Sequence, residues 1–151
     1  MPVSPRPRVL CVDDNEDSRA MLVTLLKLAS VEAKAVGTAV QALSLVQTEH
    51  FDLCMLDGRL PEIDGFELCR RLRVVDPHIP ILFFSGAAEA SDKEKGIAAG
   101  ADAYVVKPDV DELLGTVEHF TSPIGRSFFR QIPRAQERPV FGLVMHAHGR
   151  G

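Results

Sequence analysis

Five short apolar runs, each about five residues long, alternate along this chain with stretches of helical spacing. Runs this short and this continuously apolar are typical of strands buried on both faces of a parallel sheet. Parallel strands need crossover helices, so the alternation predicts an α/β fold, a doubly wound parallel sheet with helices on both faces. The runs are Arg8–Val12, Val31–Val36, Asp52–Leu56, Ile79–Phe84 and Ala103–Val106.

The stretches between the runs carry helix signals. In the first, an apolar stripe recurs at positions i, i+3, i+4 and i+7, from Leu22 to Ala29. Later stretches open with pairs typical of a capping box, namely Thr38 with Gln41, Ser91 with Glu94, and Asp109 with Glu112. Gly100 stands where the fourth helix is expected to end.

The formal charge of −4 is unevenly distributed over the 151 residues. Residues 1–120 hold 12 Lys and Arg against 20 Asp and Glu, whereas residues 121–151 hold five against one. An acidic body argues against nucleic-acid binding, and only the basic tail could contact an anionic partner. No apolar run approaches the roughly 20 residues of a membrane span. With no secretory signal either, we expect a cytoplasmic protein without membrane contact.

Polar side chains follow four of the five runs. Asp13 and Asp14 follow the first, Asp57 the third, Ser85 the fourth and Lys107 the fifth. In doubly wound folds the ligand site lies beyond the carboxyl ends of the strands, so these groups are expected to converge. The second run ends without an ionisable group, as an edge strand away from the site would.

This residue set suits phosphoryl transfer assisted by a metal ion. Clustered carboxylates suit Mg²⁺, which takes one or two carboxylates together with waters and a phosphate. A lysine and a serine hydroxyl can hold phosphoryl oxygens. Asp57 is followed by Gly58 and is a plausible nucleophile, since carboxylates accept phosphoryl groups to form aspartyl phosphates.

Four motifs in order resemble the receiver domain of two-component response regulators, including the single-domain chemotaxis regulator. They are VDD at Val12–Asp14, LDGRLPEIDGFEL at Leu56–Leu68, FFSG at Phe83–Gly86 and GADAYVVKP at Gly100–Pro108. Each motif alone is weak, but all four in order form a strong signal, and the resemblance extends over residues 8–119, about three quarters of the chain. The resemblance implies a flavodoxin-like sheet with strand order 2-1-3-4-5.

The resemblance also implies a role for each site residue. Asp57 would be the phospho-acceptor, Asp14 a direct Mg²⁺ ligand, Asp13 a ligand through water, and the Arg59 backbone carbonyl a further ligand. Lys107 would contact the phosphoryl group, and the bond to Pro108 would be cis. Ser85 would bind the phosphoryl group and Tyr104 would be the switch aromatic, which changes the surface formed by the fourth helix, fifth strand and fifth helix.

The sequence departs from the family pattern directly after the acceptor. Gly58 stands where members usually carry an aliphatic residue, which puts the rigidity of that loop in doubt. Arg59 occupies a position whose side chain modulates the lifetime of the phosphoryl group, and Leu60 replaces the usual Met at similar volume.

Several residues also have purely structural interpretations. Asp13 and Asp14 could cap the first helix, Ser85 could be an ordinary loop hydroxyl, and Tyr104 could be an ordinary strand residue. The cysteines Cys11 and Cys54, on adjacent strands, are best interpreted as buried reduced thiols. His146 and His148 form no convincing metal site without a third ligand.

We divide the chain into an N-terminal extension at 1–7, a receiver domain at 8–120 and a basic tail at 121–151 without a separate domain. Arginines recur in this tail every four residues, but Pro133 interrupts any helix that would align them, so we interpret the spacing as coincidence. The apolar piece Val140–Met145 could pair at a sheet edge, dock on the body or stay disordered.

The leading functional hypothesis is a phosphorylation switch without enzyme activity beyond its own phosphorylation and dephosphorylation. A histidine kinase or phosphotransfer protein would be the donor and a protein target the output, and a homodimer through the switch surface remains open. Alternatives are a receiver excised from a larger hybrid kinase or transcription regulator, and an interaction module independent of phosphorylation. An aspartate-nucleophile phosphatase is disfavoured because Arg59 stands where its second carboxylate is needed.

Overall fold

The computed structural model describes residues 6–136 and 138–141. Its five strands are β1 Arg8–Val12, β2 Glu32–Val36, β3 Leu53–Leu56, β4 Ile81–Ser85 and β5 Ala103–Val106. Its helices are α1 Glu16–Leu28, α2 Ala39–Thr48, α3 Gly65–Val75, α4 Ala90–Ala98, α5 Val110–Thr121 and α6 Pro123–Gln131, followed by a 3₁₀ turn at Arg134–Gln136.

The strands form one parallel sheet in the order β2-β1-β3-β4-β5, which confirms the predicted fold class and strand order. Alternate strand residues point to opposite faces and build two cores. One core packs the sheet against α2, α3 and the end of α4, and the other against α1, α5 and α6. As predicted, β2 is an edge strand.

Two element boundaries differ from their prediction for a local reason. The fourth strand begins at Ile81 and not at Ile79, because Pro80 has no N–H to donate to the sheet. Helix α4 begins one residue before Ser91, since the Asp92 carboxylate accepts the Glu89 N–H at 3.2 Å and completes the first turn there. The predicted capping pair of Ser91 with Glu94 is therefore wrong.

The other helix signals are confirmed. The Thr38 hydroxyl accepts the Gln41 N–H at the start of α2, and the Asp109 carboxylate accepts the Glu112 N–H at the start of α5. Gly100 follows the end of α4 with a φ of +112°, in the left-handed region that favours glycine. None of the helices in the described part of the chain has the length and apolar character of a bilayer span.

The segment after α5 packs back onto the body. Helix α6 lies against α5, and Phe141 forms a parallel bridge to Ala103 while its N–H donates to the Asp102 carbonyl. Of the three alternatives for the apolar piece, sheet-edge pairing therefore holds at Phe141. Residues 142–145, His146 and His148 lie outside the described residues.

Three of the tail arginines pair with carboxylates at the amino end of the sheet. Arg130 contacts Asp52 at 3.1 Å, and Arg138 forms a bidentate pair with Asp102 at 2.7 and 3.1 Å. Arg134 reaches Asp102 at 3.5 Å. Helix α6 ends at Gln131, before Pro133, so the arginines do not lie along one helix, as predicted. Their side chains nonetheless attach the segment to the domain.

Candidate functional site at the carboxyl edge of the sheet

The predicted polar residues converge beyond the carboxyl ends of β1, β3, β4 and β5. Carboxylate oxygens of Asp13, Asp14 and Asp57 all lie within 4.8 Å of one another. The Lys107 ammonium reaches the group from β5, with Nζ 3.1 Å from Asp13 Oδ2 and 3.4 Å from Asp57 Oδ2. Parallel strands bring these residues together from positions as far as 94 apart in sequence.

Asp57 lies at the centre of the cluster in a partly buried position. Burial raises the pKa of its carboxyl, the Lys107 charge opposes that rise, and the neighbouring Asp13 charge adds to it. Its Oδ1 accepts the Arg59 backbone N–H at 3.3 Å. Its side chain is 15% exposed, enough to leave the carboxylate accessible from the surface.

The charges of the cluster do not balance, because three carboxylates face one ammonium within direct contact. A hard divalent cation with oxygen ligands relieves that repulsion, so the donor set fits Mg²⁺. Asp14, the exposed member, is open to solvent and suits a direct ligand with waters retained.

Asp13 is 2% exposed and is held from two sides. Its Oδ1 accepts the Asn15 N–H at 2.9 Å, and its Oδ2 accepts from Lys107. The side-chain cap of α1 comes from Asn15, which accepts the Ser18 N–H at 2.8 Å. The alternative that Asp13 and Asp14 cap this helix is therefore wrong. Both carboxylates belong instead to the cluster with Asp57.

Arg19 supports the backbone of the site through a hydrogen bond, a role that the sequence analysis missed. Its Nη1 donates to the Asp13 carbonyl at 2.9 Å, and the absence of a side chain at Gly37 leaves room for the guanidinium, since a Cβ there would lie 2.8 Å from it. The available signal was a single basic residue within an acidic first turn of α1, formed by Glu16 and Asp17. That pattern alone does not indicate that the Arg19 side chain contacts the site.

Lys107 is held as an ammonium at the site. Burial acts to lower its pKa, but the hydrogen bonds and charges of Asp13 and Asp57 outweigh burial, so the pKa is raised. Its backbone N–H donates to the Ser85 carbonyl at 2.8 Å, which ties the end of β5 to the end of β4. The peptide bond between Lys107 and Pro108 is cis.

Ser85 and Tyr104 are linked through one residue of the loop after β4. The Ser85 hydroxyl accepts the Ala87 N–H at 3.2 Å, and the Tyr104 hydroxyl donates to the Ala87 carbonyl at 2.7 Å. Ser85 and Tyr104 are each 1% exposed, and burial raises the pKa of the tyrosine. Tyr104 thus lies inward and contacts the loop, while its switching role stays a prediction.

Gly65 is a second residue to which the sequence analysis assigned no role. Its N–H donates to the Gly58 carbonyl at 3.1 Å, and a Cβ at Gly65 would lie only 2.3 Å from the Asp57 carbonyl oxygen. A glycine is needed there because the loop after β3 folds back onto the backbone of Asp57. Its place in the LPEIDG motif was the available signal.

Known proteins are similar to this chain in sequence and in fold. A family model described as the response regulator receiver domain matches residues 9–118. The sensor histidine kinase GacS of Pseudomonas protegens is 35% identical over 145 residues, covering 92% of this chain and 16% of its own length. The response regulator MprA of Mycobacterium leprae is 34% identical over 111 residues, covering 73% of this chain and 49% of its own.

A solved structure of a response regulator from Chloroflexus aurantiacus superposes with a TM-score of 0.73 at 31% identity. That match covers 78% of this chain and 98% of the other. This chain spans less than half the length of the two relatives named above. It is a member of the response regulator receiver domain family of two-component signalling systems.

Proposed function

We propose that this protein is a phosphorylation-dependent switch that accepts a phosphoryl group on Asp57. The observation that carries the proposal is the contact of the Lys107 ammonium with both Asp57 and Asp13, inside a cluster that also includes Asp14. A purely structural role needs no such cluster, since like charges held together cost stability.

The chemistry is an in-line transfer between a donor and one carboxylate oxygen. An Asp57 oxygen attacks the phosphorus of a phosphohistidine, the new O–P bond forms, the P–N bond breaks, and the donor imidazole keeps the electron pair and takes up a proton. Lys107 neutralises charge on the phosphoryl oxygens throughout. Burial of Asp57 favours a nucleophile stripped of water and raises the pKa of its carboxyl, while the Lys107 charge opposes that rise.

Asp14, Asp57 and the Arg59 carbonyl would hold Mg²⁺ directly, and Asp13 would hold it through water. Mg²⁺ would neutralise the charge that develops on the phosphoryl oxygens. The Arg59 side chain, which is exposed, would modulate the lifetime of the phosphoryl group. On this proposal the only reactions catalysed are the protein's own phosphorylation and dephosphorylation.

The output would be a change of surface at α4, β5 and α5. Ser85 would turn to hydrogen-bond the phosphoryl group, and Tyr104, joined to it through Ala87, would then shift its population of rotamers. The donor would be a histidine kinase or phosphotransfer protein in the cytoplasm. The output would be a protein target, or a second copy bound at the same surface, with no contact to nucleic acid or membrane.

The coverage of the relatives favours a second candidate for the whole protein. Because the chain corresponds to 16% of one relative and 49% of another, the receiver could act inside a larger hybrid kinase or transcription regulator. In either case residues 8–120 would form the receiver, with an extension at 1–7 and a tail at 121–151 that adds no separate domain. The reaction at Asp57 would be the same.

The test is intact-mass spectrometry after incubation with acetyl phosphate and Mg²⁺. The wild type should gain one phosphoryl group, Asp57→Asn should gain none, and chelation of Mg²⁺ should abolish the gain. Asp64→Asn is the matched control, because Asp64 caps α3 nearby and asparagine caps equally well. No gain on the wild type would sink the proposal and leave an interaction module independent of phosphorylation.

A further inference from the structure

The space beside Gly58 is limited by a single side chain. A Cβ at Gly58 would lie 2.9 Å from Ser85 Oγ and 3.6 Å from Ser85 Cβ, and nothing else outside the adjacent residues comes within 4 Å. Real Cβ atoms essentially never approach another heavy atom to 2.9 Å. Since Ser85 is 1% exposed, its hydroxyl could relieve such a contact only by turning to another position within the packed interior.

The constraint at Gly58 differs from the constraint at Gly65, the first residue of α3. At Gly65 the groups in the way are backbone atoms, the Asp57 carbonyl oxygen at 2.3 Å and Gly58 Cα at 2.9 Å. That contact explains how the loop closes and has no bearing on Ser85. The absence of a side chain at Gly58 leaves space that the Ser85 hydroxyl borders.

The Ser85 hydroxyl begins a chain of contacts that ends at Tyr104. It accepts the Ala87 N–H at 3.2 Å, and the carbonyl of the same residue accepts the Tyr104 hydroxyl at 2.7 Å. If the hydroxyl turned away, the Ala87 N–H would lose this acceptor and the residue that holds Tyr104 inward would be less firmly held.

We propose that Gly58 is a positioning residue that sets the resting position of the Ser85 hydroxyl and, through Ala87, of Tyr104. This inference rests on the proposed function for its meaning, since Ser85 and Tyr104 are there the residues that respond to phosphorylation. The residue at position 58 thereby sets the population of the resting conformation of Ser85 and Tyr104 before any phosphoryl group is bound. A side chain at this position shifts that balance without a change at Asp57.

The experiment compares Gly58→Ala with Gly86→Ala by NMR in the absence of any phosphoryl donor. Gly86 lies in the loop after β4, directly after Ser85, and a Cβ there meets nothing within 4 Å. Tyr104 is the only tyrosine of the chain, so its ring signals are unambiguous. Gly58→Ala should shift the Tyr104 ring and Ala87 amide signals, and Gly86→Ala should leave the Tyr104 ring signals at their wild-type positions.

A Ser85→Ala background separates the inference from a general disturbance of the loop. Without Oγ, the nearest atom to a Cβ at position 58 is the residue 85 Cβ at 3.6 Å, an ordinary contact. Gly58→Ala should then add no further shift of the Tyr104 signals, and the double variant should fold even if the single variant does not. An equal shift in both backgrounds would overturn the inference.

Acetyl phosphate and Mg²⁺ then distinguish this inference from the proposed function. If the wild type gains no phosphoryl group but Gly58→Ala moves Tyr104 only when Ser85 is present, the proposed function fails and the positioning role stands. If the wild type is phosphorylated and Gly58→Ala leaves the Tyr104 and Ala87 signals at their wild-type positions, the positioning role fails alone.

Discussion

Burial separates residues that the sequence presents as equivalent. Asp13 and Asp14 are adjacent and carry the same charge, yet Asp13 is buried and braced by Lys107, whereas Asp14 is exposed. Burial also sets the chemistry of the cysteines, all three of which are buried. Burial raises the pKa of the Cys11 and Cys69 thiols to about 12, and it raises the pKa of Cys54 well above its usual value.

The thiols are therefore expected to be inert in the folded protein. With a pKa of about 12, roughly one thiol in ten thousand is ionised at pH 8, and the thiolate is the reactive form. Iodoacetamide at pH 8 should leave the native protein unlabelled on a timescale that modifies all three cysteines in urea. Rapid native labelling, followed by mass spectrometry, would show that the cores open far more often than their packing indicates.

Among the elements, α6 depends on close approach to α5. Gly125 lies in the first turn of α6, and a Cβ there would lie 2.2 Å from the His119 carbonyl oxygen and 3.0 Å from that of Phe120. Phe129 then fills the space beside Phe120, with ring centroids 4.8 Å apart. The helix is thus positioned by backbone contact with α5 and by a buried aromatic ring.

Two glycine-to-alanine variants test this packing. Gly125→Ala should lower the free energy of unfolding by about 1–3 kcal/mol, the cost of overpacking, because backbone atoms cannot move aside cheaply. Gly115→Ala, on the exposed face of α5 with nothing within 4 Å, should raise it by up to about 1 kcal/mol through helix propensity. Urea denaturation measures both, and equal effects would contradict the packing argument.

Across the whole molecule, the two ends of the sheet use charge differently. At the carboxyl end, three carboxylates share one ammonium in direct contact, an imbalance that suits a cation. At the amino end, Asp102 is fully buried between Arg138 and Arg73, and it also accepts the Ile81 N–H at 3.0 Å. This second cluster attaches the C-terminal segment to β4 and β5, and within it the buried Arg73 Nε is left without a hydrogen-bond partner.

Loss of one partner from this amino-end cluster should be costly. Arg138→Met should lower the free energy of unfolding by about 3 kcal/mol, the lower end for breaking a buried pair, because Arg73 still faces Asp102. Arg134→Met is the control, since its side chain is 15% exposed and its contact is longer at 3.5 Å, so we expect a smaller loss. The measurement is the urea midpoint, and equal losses would argue against a dominant role for Arg138.

Local patterns were predictable from the sequence and contacts between distant residues were not, for a physical reason. Parallel pairing and the caps at Thr38 and Asp109 were accessible because they depend on local periodicity and spacing, and the strand order followed from the resemblance to receiver domains. The roles of Arg19 and Arg138 were not. Each acts on a residue or backbone group that only the folded chain brings near it, and a lone arginine in a sequence does not indicate its partner.

The sequence by itself determined that the chain forms a doubly wound sheet and that polar groups end its strands, because strand burial and crossover geometry follow from residue pattern alone. Only the tertiary structure decided which aspartate is buried and which side chain lies beside Gly58, namely that of Ser85. It also decided that arginines of the basic tail pair with Asp52 and Asp102. Those outcomes depend on distances of a few ångströms between residues far apart in sequence, where burial and charge act together.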